Sequence, residues 1–365
     1  MPRMWPDRRL IDLFGIELPI VQAPMAGAMD WELAAAAAEA GALGSLPCAM
    51  LTVQEIPRQV EKYRAVTSKP LNLNFFCHAP PRLDNEREAR WRDRLAPYYR
   101  ELAIDPAAPV PSSARTAFDP EACEVVEALK PQVVSFHFGL PDPDLVARVK
   151  ATGSIIVSSA TTVAEARWLQ QRGVDAVIAQ GCEAGGHRGM FLTEDIATQV
   201  GTFALIPQIV DAVKLPVIAA GAVSDARGIV AAMALGAAGV QIGSAYLWCA
   251  QARISAPHRA ALATARDDGT ALTNLMTGRP ARGILNRVMR EIGPIADVAP
   301  QFPLAAGALA PLRAAAEAGG SGDFSPLWAG QAAGLGRALP AGELTRRLAE
   351  ETLERMRALG ASSGR

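Results

Sequence analysis

Four histidines are the candidates for proton transfer near neutral pH: His78, His137, His187 and His258. One stands in a setting suited to that work. His187 lies in the run Gln180-Gly181-Cys182-Glu183-Ala184-Gly185-Gly186-His187-Arg188-Gly189, where four glycines surround one imidazole. His137 closes an apolar run and reads equally as a pocket wall or as a packed core residue. His78 opens a polar stretch, and His258 lies in a predicted helix. No HxH, HExxH or Cys/His ligand spacing occurs, so the sequence predicts no metal site.

Two glycine turns point to a second kind of chemistry. Ala220-Gly221-Ala222 and Gln241-Ile242-Gly243-Ser244 each follow a short apolar run. Glycine lets the backbone N–H groups come close to an anion, and Ser244 adds a hydroxyl donor. Each turn alone reads as a tight connection; the pair at corresponding places reads as a phosphate cradle. Asn74, Gln180 and Gln241 end other apolar runs. A side-chain amide both donates and accepts, which suits the edge of a flavin ring or its ribityl hydroxyls, and equally suits a polar residue that caps a strand end. Met25, Phe75, Phe76, Met190 and Phe191 read either as an apolar wall or, as most such residues do, simply as core.

These residues share a site only if the strands they follow end at one face. Candidate strands fall at 20–22, 43–45, 71–75, 133–137, 155–158, 176–179, 217–219 and 239–242. Their runs are continuously apolar, as in parallel strands buried on both faces. Helical stretches alternate with them. One is predicted over 161–173, with Thr162 and Glu165 spaced as a capping box. Another is predicted over 225–235, with Ser224 as its N-cap. The joint Arg172-Gly173-Val174-Asp175-Ala176-Val177 recurs as Leu235-Gly236-Ala237-Ala238-Gly239-Val240, and more weakly at Ala40-Gly41-Ala42-Leu43-Gly44. Eight such units predict an α/β fold, a (β/α)₈ TIM barrel, whose functional residues gather at the C-terminal ends of the strands. No GxGxxG follows the first strand, which disfavours a doubly wound sheet.

Two stretches stand outside the repeat. Residues 78–120, rich in Pro and Arg and holding Trp91, Tyr98 and Tyr99, read as a long insertion between the third and fourth strands, a lid or a packing arm. Residues 263–365 read as a C-terminal helical subdomain against a barrel spanning 1–262, with an amphipathic piece over 344–359 and a frayed tail over 361–365.

Composition agrees with a soluble globular protein. The chain has 365 residues and a formal net charge of -1, and 50% of its residues are hydrophobic. A chain so apolar and so near neutrality is not disordered. It also lacks the basic excess that nucleic-acid binding requires. Aromatic residues make up only 5%, so the core falls to Ala, Val, Leu and Ile. The five cysteines (48, 77, 123, 182 and 249) form no CxxC and no even framework, and read as reduced cytoplasmic thiols. The start, Met1-Pro2-Arg3-Met4-Trp5-Pro6-Asp7, lacks the apolar run of a signal peptide. Residues 228–252 carry no charge, but Gly236, Gly239, Gly243, Gln241 and Ser244 interrupt them. They read as a helix and a buried strand rather than a membrane span.

The pattern resembles the nitronate monooxygenase family, formerly 2-nitropropane dioxygenases. The likeness rests on Pro19-Ile20-Val21-Gln22-Ala23-Pro24-Met25, the 180–189 loop and Gln241-Ile242-Gly243-Ser244. It extends to Gly278-Arg279-Pro280-Ala281-Arg282-Gly283 and Leu327-Trp328-Ala329-Gly330-Gln331. The resemblance implies an FMN-dependent oxidation of alkyl nitronates, such as propionate 3-nitronate, or of nitroalkanes, by O₂ to a carbonyl compound and nitrite. It places Pro24, Met25 and Ala26 beside the flavin. Asn74, Gln180, Gly185 and Gly186 fall at its ring and ribityl chain. Gly221, Ala222, Gln241, Ile242, Gly243 and Ser244 fall at its phosphate, and His187 becomes the base. The family's second glycine after the seventh strand is here Ala222, and its threonine after the eighth is Ser244. The alternatives are an FMN-dependent enoyl-acyl-carrier-protein reductase using NAD(P)H, a flavin-binding protein without turnover, and a phosphate-sugar isomerase barrel. The last lacks an evident Glu/Lys base pair. The oligomeric state stays open, a homodimer included.

Overall fold

Eight apolar runs pair side by side and in parallel, each offset from the next by a helix. The computed structural model describes residues 5–106, 109, 111 and 115–362. In chain order the strands are β1 (Ile20–Gln22), β2 (Gly44–Pro47), β3 (Leu71–Phe76), β4 (Val133–His137), β5 (Ile155–Ala160) and β6 (Ala176–Gln180). They continue as β7 (Gly186–His187), β8 (Val217–Ala220), β9 (Gly239–Ile242), β10 (Thr270–Thr273) and β11 (Ala281–Ile284). All but β7, β10 and β11 form one sheet ordered β1-β9-β8-β6-β5-β4-β3-β2. The edges meet: Gln22 N–H donates to Leu43 O, and Leu43 N–H to Ile20 O, each at 2.9 Å. The sheet is therefore a ring, the expected (β/α)₈ barrel.

Ala-rich helices explain how the wall packs so tightly with few aromatics, although Tyr63, Phe75, Phe118, Phe136 and Tyr246 also join Ala, Val, Leu and Ile in the main core. In the helix Trp31–Glu39, Ala34, Ala35, Ala37 and Ala38 are buried. A Cβ on Gly44 would stand 2.3 Å from Ala34 O, so β2 lies directly against that helix backbone. The helix ends show two departures from expectation. Thr162 caps the helix Val163–Gln171 by accepting from Glu165 N–H, but Glu165 does not complete the box. Its buried carboxylate instead accepts from Thr161 N–H (2.6 Å), Thr161 Oγ1 (2.8 Å) and Phe191 N–H (2.6 Å), tying the end of β5 to the loop after β7. The helix Ala226–Ala234 is capped by Asp225, not Ser224. Asp225 is the residue with extended backbone, and its carboxylate accepts from Arg227 N–H at 2.9 Å.

The insertion after β3 contains the helix Asn85–Glu101, capped by Asp84. It packs on the helix Ala305–Ala318, where Trp91 Nε1 donates to Ala305 O (3.2 Å) and Tyr99 OH to Ala308 O (2.6 Å). This helix is a packing arm. Residues after 262 are not helical throughout. β10 and β11 form an antiparallel hairpin, and β11 also pairs with β7. The last helix, Ala341–Ser362, lies against Trp31–Glu39 and Ala226–Ala234, with Leu344, Leu348 and Leu353 in the main core. The stretch expected to fray is helical as far as Ser362, and 363–365 lie outside the described residues. The uncharged run from 228 is a helix and then β9, and no helix among the described residues is long and apolar enough to cross a membrane.

Candidate active site

The barrel strands end around one cavity of about 1650 Å³, its open mouth included. Pro24, Met25 and Ala26 line it from the loop after β1, and Asn74 and Phe76 from the end of β3. Gln180, Gly185, Gly186 and His187 line it from β6 to β7, Gly221 and Ala222 from after β8, and Gln241, Gly243 and Ser244 from the end of β9. Every predicted site residue therefore borders one space, with one exception. Ile242 is fully buried in the main core and faces away from the cavity; its carbonyl accepts from Ala23 N–H at 2.8 Å. Strand alternation explains this, because Gln241 and Gly243 flank it toward the opening. Of the expected apolar wall, Met25 and Phe76 face the cavity, whereas Phe75 and Met190 lie in the core and Phe191 packs on Trp168.

One end of the cavity is built from backbone. Gly221 has φ +109° and Ala222 φ +57°, two successive residues in the left-handed half of the map. A Cβ on Gly185 would lie 2.5 Å from Gly330 N and 2.6 Å from Ala329 C, so the 181–189 loop rests on the backbone of 329–330. Gly330 N–H donates to Ser244 Oγ at 2.8 Å. With its acceptor side engaged, the Ser244 hydroxyl proton points elsewhere, and an anion in the cavity is a fitting acceptor. Glu183 caps the helix Thr202–Ala212 by accepting from Thr202 N–H and Oγ1 at 2.8 and 2.7 Å, so this carboxylate is engaged on the helix end.

The other end holds His187, and four elements hold His187. Its backbone is in β7 and pairs with Ala281 of β11. Its carbonyl accepts from Gln180 Nε2 (2.9 Å) and from His137 Nε2 (3.2 Å). A carbonyl only accepts, so His137 carries its proton on Nε2, and Ser159 Oγ donates to His137 Nδ1 at 2.9 Å. Burial holds the His137 pKa down at about 3, so that ring is a neutral clamp as well as a cavity wall. Gln180 Oε1 accepts from Gly189 N–H at 2.7 Å, which commits its amide to the loop backbone. Arg188 is fully buried and donates to Gly181 O and Gln180 O, both at 2.7 Å, and to Gln199 Oε1 at 2.9 Å. These bonds tie the glycine-rich loop to the end of β6 and to Gln199.

The His187 ring sits among aromatic rings: Phe302 at 5.3 Å, Trp328 at 5.5 Å, and Phe76 and Phe138 each at 6.0 Å between centroids. Burial lowers its pKa well below the ordinary histidine value, and the charges of Arg115 and Arg279 lower it further. Arg115 lines the cavity, and burial brings it down to about 10. Arg279 stacks its guanidinium 3.9 Å over Phe138 and donates to Met190 O. His187 is thus a neutral imidazole near two cations, able to accept a proton and next to charge that favours an anion.

Sequence reading missed several of these residues. Arg279 lies in the Gly278–Gly283 segment recognised for its likeness alone, and Thr277, whose Oγ1 lies 3.0 Å from His187 Nε2, stands just before it. Arg115, Phe138 and Phe302 carried no signal. Phe138 follows β4 with φ +72°, a strained value that only the fold reveals.

A family model described as Nitronate monooxygenase matches residues 7–351. A nitronate monooxygenase of Paraburkholderia phytofirmans is 41% identical over 348 residues, covering 94% of both chains. One of Pseudomonas aeruginosa is 41% identical over 345 residues, covering 94% of this chain and 98% of its own. Among solved structures, a nitroalkane oxidase from Streptomyces ansochromogenes superposes with a TM-score of 0.87 at 37% identity, covering 96% of this chain and 99% of that one. FabK from Thermotoga maritima superposes with a TM-score of 0.75 at 26% identity, covering 98% of this chain and all of the other.

Proposed function

This chain belongs to the nitronate monooxygenase family, and on that premise we propose that it is an FMN-dependent oxidoreductase that oxidises alkyl nitronates with O₂, giving a carbonyl compound and nitrite. Nitroalkanes enter the same reaction after His187 removes their α-proton. One observation carries the reading. A neutral, aromatic-walled imidazole near half-buried guanidinium charge shares a cavity with an anion cradle made of backbone.

The residues present fit FMN. Its phosphate suits the turn at Gly221-Ala222 together with Gly243 and the Ser244 hydroxyl, where no side-chain cation is required. A Cβ on Gly186 would meet no protein atom within 4 Å, so that face of the loop leaves room for a ring system. Pro24, Met25, Ala26 and Asn74 border the remaining length. Asn74 Nδ2 donates to Ser135 Oγ at 2.9 Å, which orients its amide at the rim. Bound FMN supplies electron acceptance from the substrate and return of electrons to O₂.

The side chains supply the rest. Arg115 and Arg279 favour the nitronate, which is already an anion, over its neutral acid. The same charges weaken His187 as a base, yet they stabilise the anion that proton removal creates, so the two effects oppose each other. Phe76, Phe138, Phe302 and Trp328 exclude water, which strengthens both. A preformed nitronate needs no base, and His187 then only borders it.

The test uses purified protein carrying flavin, without oxygen. Propionate 3-nitronate is expected to bleach the visible flavin absorbance promptly, and NADH is not. Prompt bleaching by NADH with none by the nitronate overturns the proposal in favour of an NAD(P)H-dependent reductase.

A further inference from the structure

We propose that Thr277 is a positioning residue that fixes which nitrogen of His187 is the base: its hydroxyl holds the proton on Nε2 and leaves Nδ1 open to the substrate. The inference rests on His187 acting as the base of the proposed reaction. Three observations support it. Thr277 Oγ1 lies 3.0 Å from His187 Nε2, and it also lies 3.4 Å from Arg279 O. Thr277 is buried, with 1% exposure, so its hydroxyl is not diverted to bulk water. Among the described residues, Nδ1 of His187 makes no hydrogen bond.

Two arrangements of protons are possible, and they differ in what they leave unsatisfied. If the Thr277 hydroxyl donates to Arg279 O, its lone pair accepts from His187 Nε2–H, and Nδ1 keeps a free pair. Nε2, the Thr277 hydroxyl and Arg279 O are then all matched, and only the acceptor Nδ1 is left open. If the hydroxyl instead donates to Nε2, the ring proton sits on Nδ1 with no protein acceptor, and Arg279 O loses its donor. The first arrangement is the satisfied one. It is also the reactive one. Nδ1 takes the proton from the α-carbon, the C–H pair becomes the C=N bond of the nitronate, and the resulting imidazolium still donates through Nε2 to Thr277.

The fold keeps this contact in place. Thr277 stands on the turn between β10 and β11, and β11 pairs directly with the β7 residue that carries the ring. The base and its partner thus ride on one small sheet.

Nitrogen-15 labelling of the histidines, with the His187 signal assigned by its loss in His187→Gln, reads the tautomer in the whole protein. Wild type is expected to be protonated on Nε2, and Thr277→Val to gain the Nδ1-protonated form. Turnover of neutral nitroethane is expected to fall ~10-fold or more in Thr277→Val. Turnover of preformed ethyl nitronate should stay close to wild type, and Thr277→Ser should restore both properties. A wild-type ring protonated on Nδ1 overturns the proposal. So does an unchanged tautomer in Thr277→Val, or an unchanged ratio of nitroethane to nitronate turnover. If wild type turns over neither compound, the proposed reaction falls, and the tautomer measurement still decides what Thr277 does.

Discussion

The two ends of the cavity are made in opposite ways. The cradle at Gly221-Ala222 and Gly243-Ser244 is local: each piece is two residues that directly follow a barrel strand, and the chemistry is that of backbone N–H groups. The His187 end is assembled from distant segments. β7, the β10–β11 hairpin, the rings of Phe76, Phe138, Phe302 and Trp328, and the charges of Arg115 and Arg279 converge on one imidazole. A cradle tolerates change in side chains and little change in backbone. A base tolerates backbone drift only while its neighbours keep it neutral and aimed.

Substitutions at each end should separate the two. The largest effect belongs to His187→Asn, expected to lower kcat/KM on neutral nitroalkanes by ~10²- to 10⁴-fold while flavin remains bound. Equal loss on preformed nitronate would show that the ring does more than take a proton. At the backbone end, Gly185→Ala pushes a Cβ against Ala329 and Gly330 and should cost about 1–3 kcal/mol of stability, read by denaturant unfolding. Retention of flavin should weaken with it.

A smaller effect is the pH profile. The folded-state pKa of His187 is lowered, so the ring stays neutral below the ordinary titration near 6.5. As pH falls, kcat/KM on a nitroalkane should therefore hold past that point and decline only in more acid solution. A limb centred near 6.5 would mean that the aromatic wall and the arginines do not act on the ring as described. The smallest is Ala222→Gly. Ala222 holds φ +57°, which costs a side-chain-bearing residue on the order of 1 kcal/mol, so glycine should raise thermal stability slightly and leave turnover unchanged.

The same contrast governs how much could be read from the residues alone. The barrel was legible because its strands are buried on both faces and so spell continuous apolar runs, and because each cradle turn adjoins its strand. β7, β10 and β11 were not. β7 is two residues long, and Ala281-Arg282-Gly283-Ile284 forms a strand through pairing, not through pattern. Thr162 was readable as a cap, but Glu165 turned to bind the loop after β7, a choice set by tertiary contact. Arg115 and Phe302 are 72 and 115 residues from His187 in the chain, and no local spacing relates them.

The pairing of β7 with β11 also bears on how this enzyme can be cut and recombined. The residue proposed as base lies near the middle of the chain, yet the strand that steadies it comes after residue 280. A chimera that joins this barrel to a foreign C-terminal region would keep the turns at Gly221-Ala222 and Gly243-Ser244, but lose both the Gly330 N–H that engages Ser244 Oγ and the strand that supports the base. Such a hybrid, where it still holds flavin, should be yellow and yet inert toward neutral nitroalkanes, so colour alone is a poor screen for function in shuffled members of this fold.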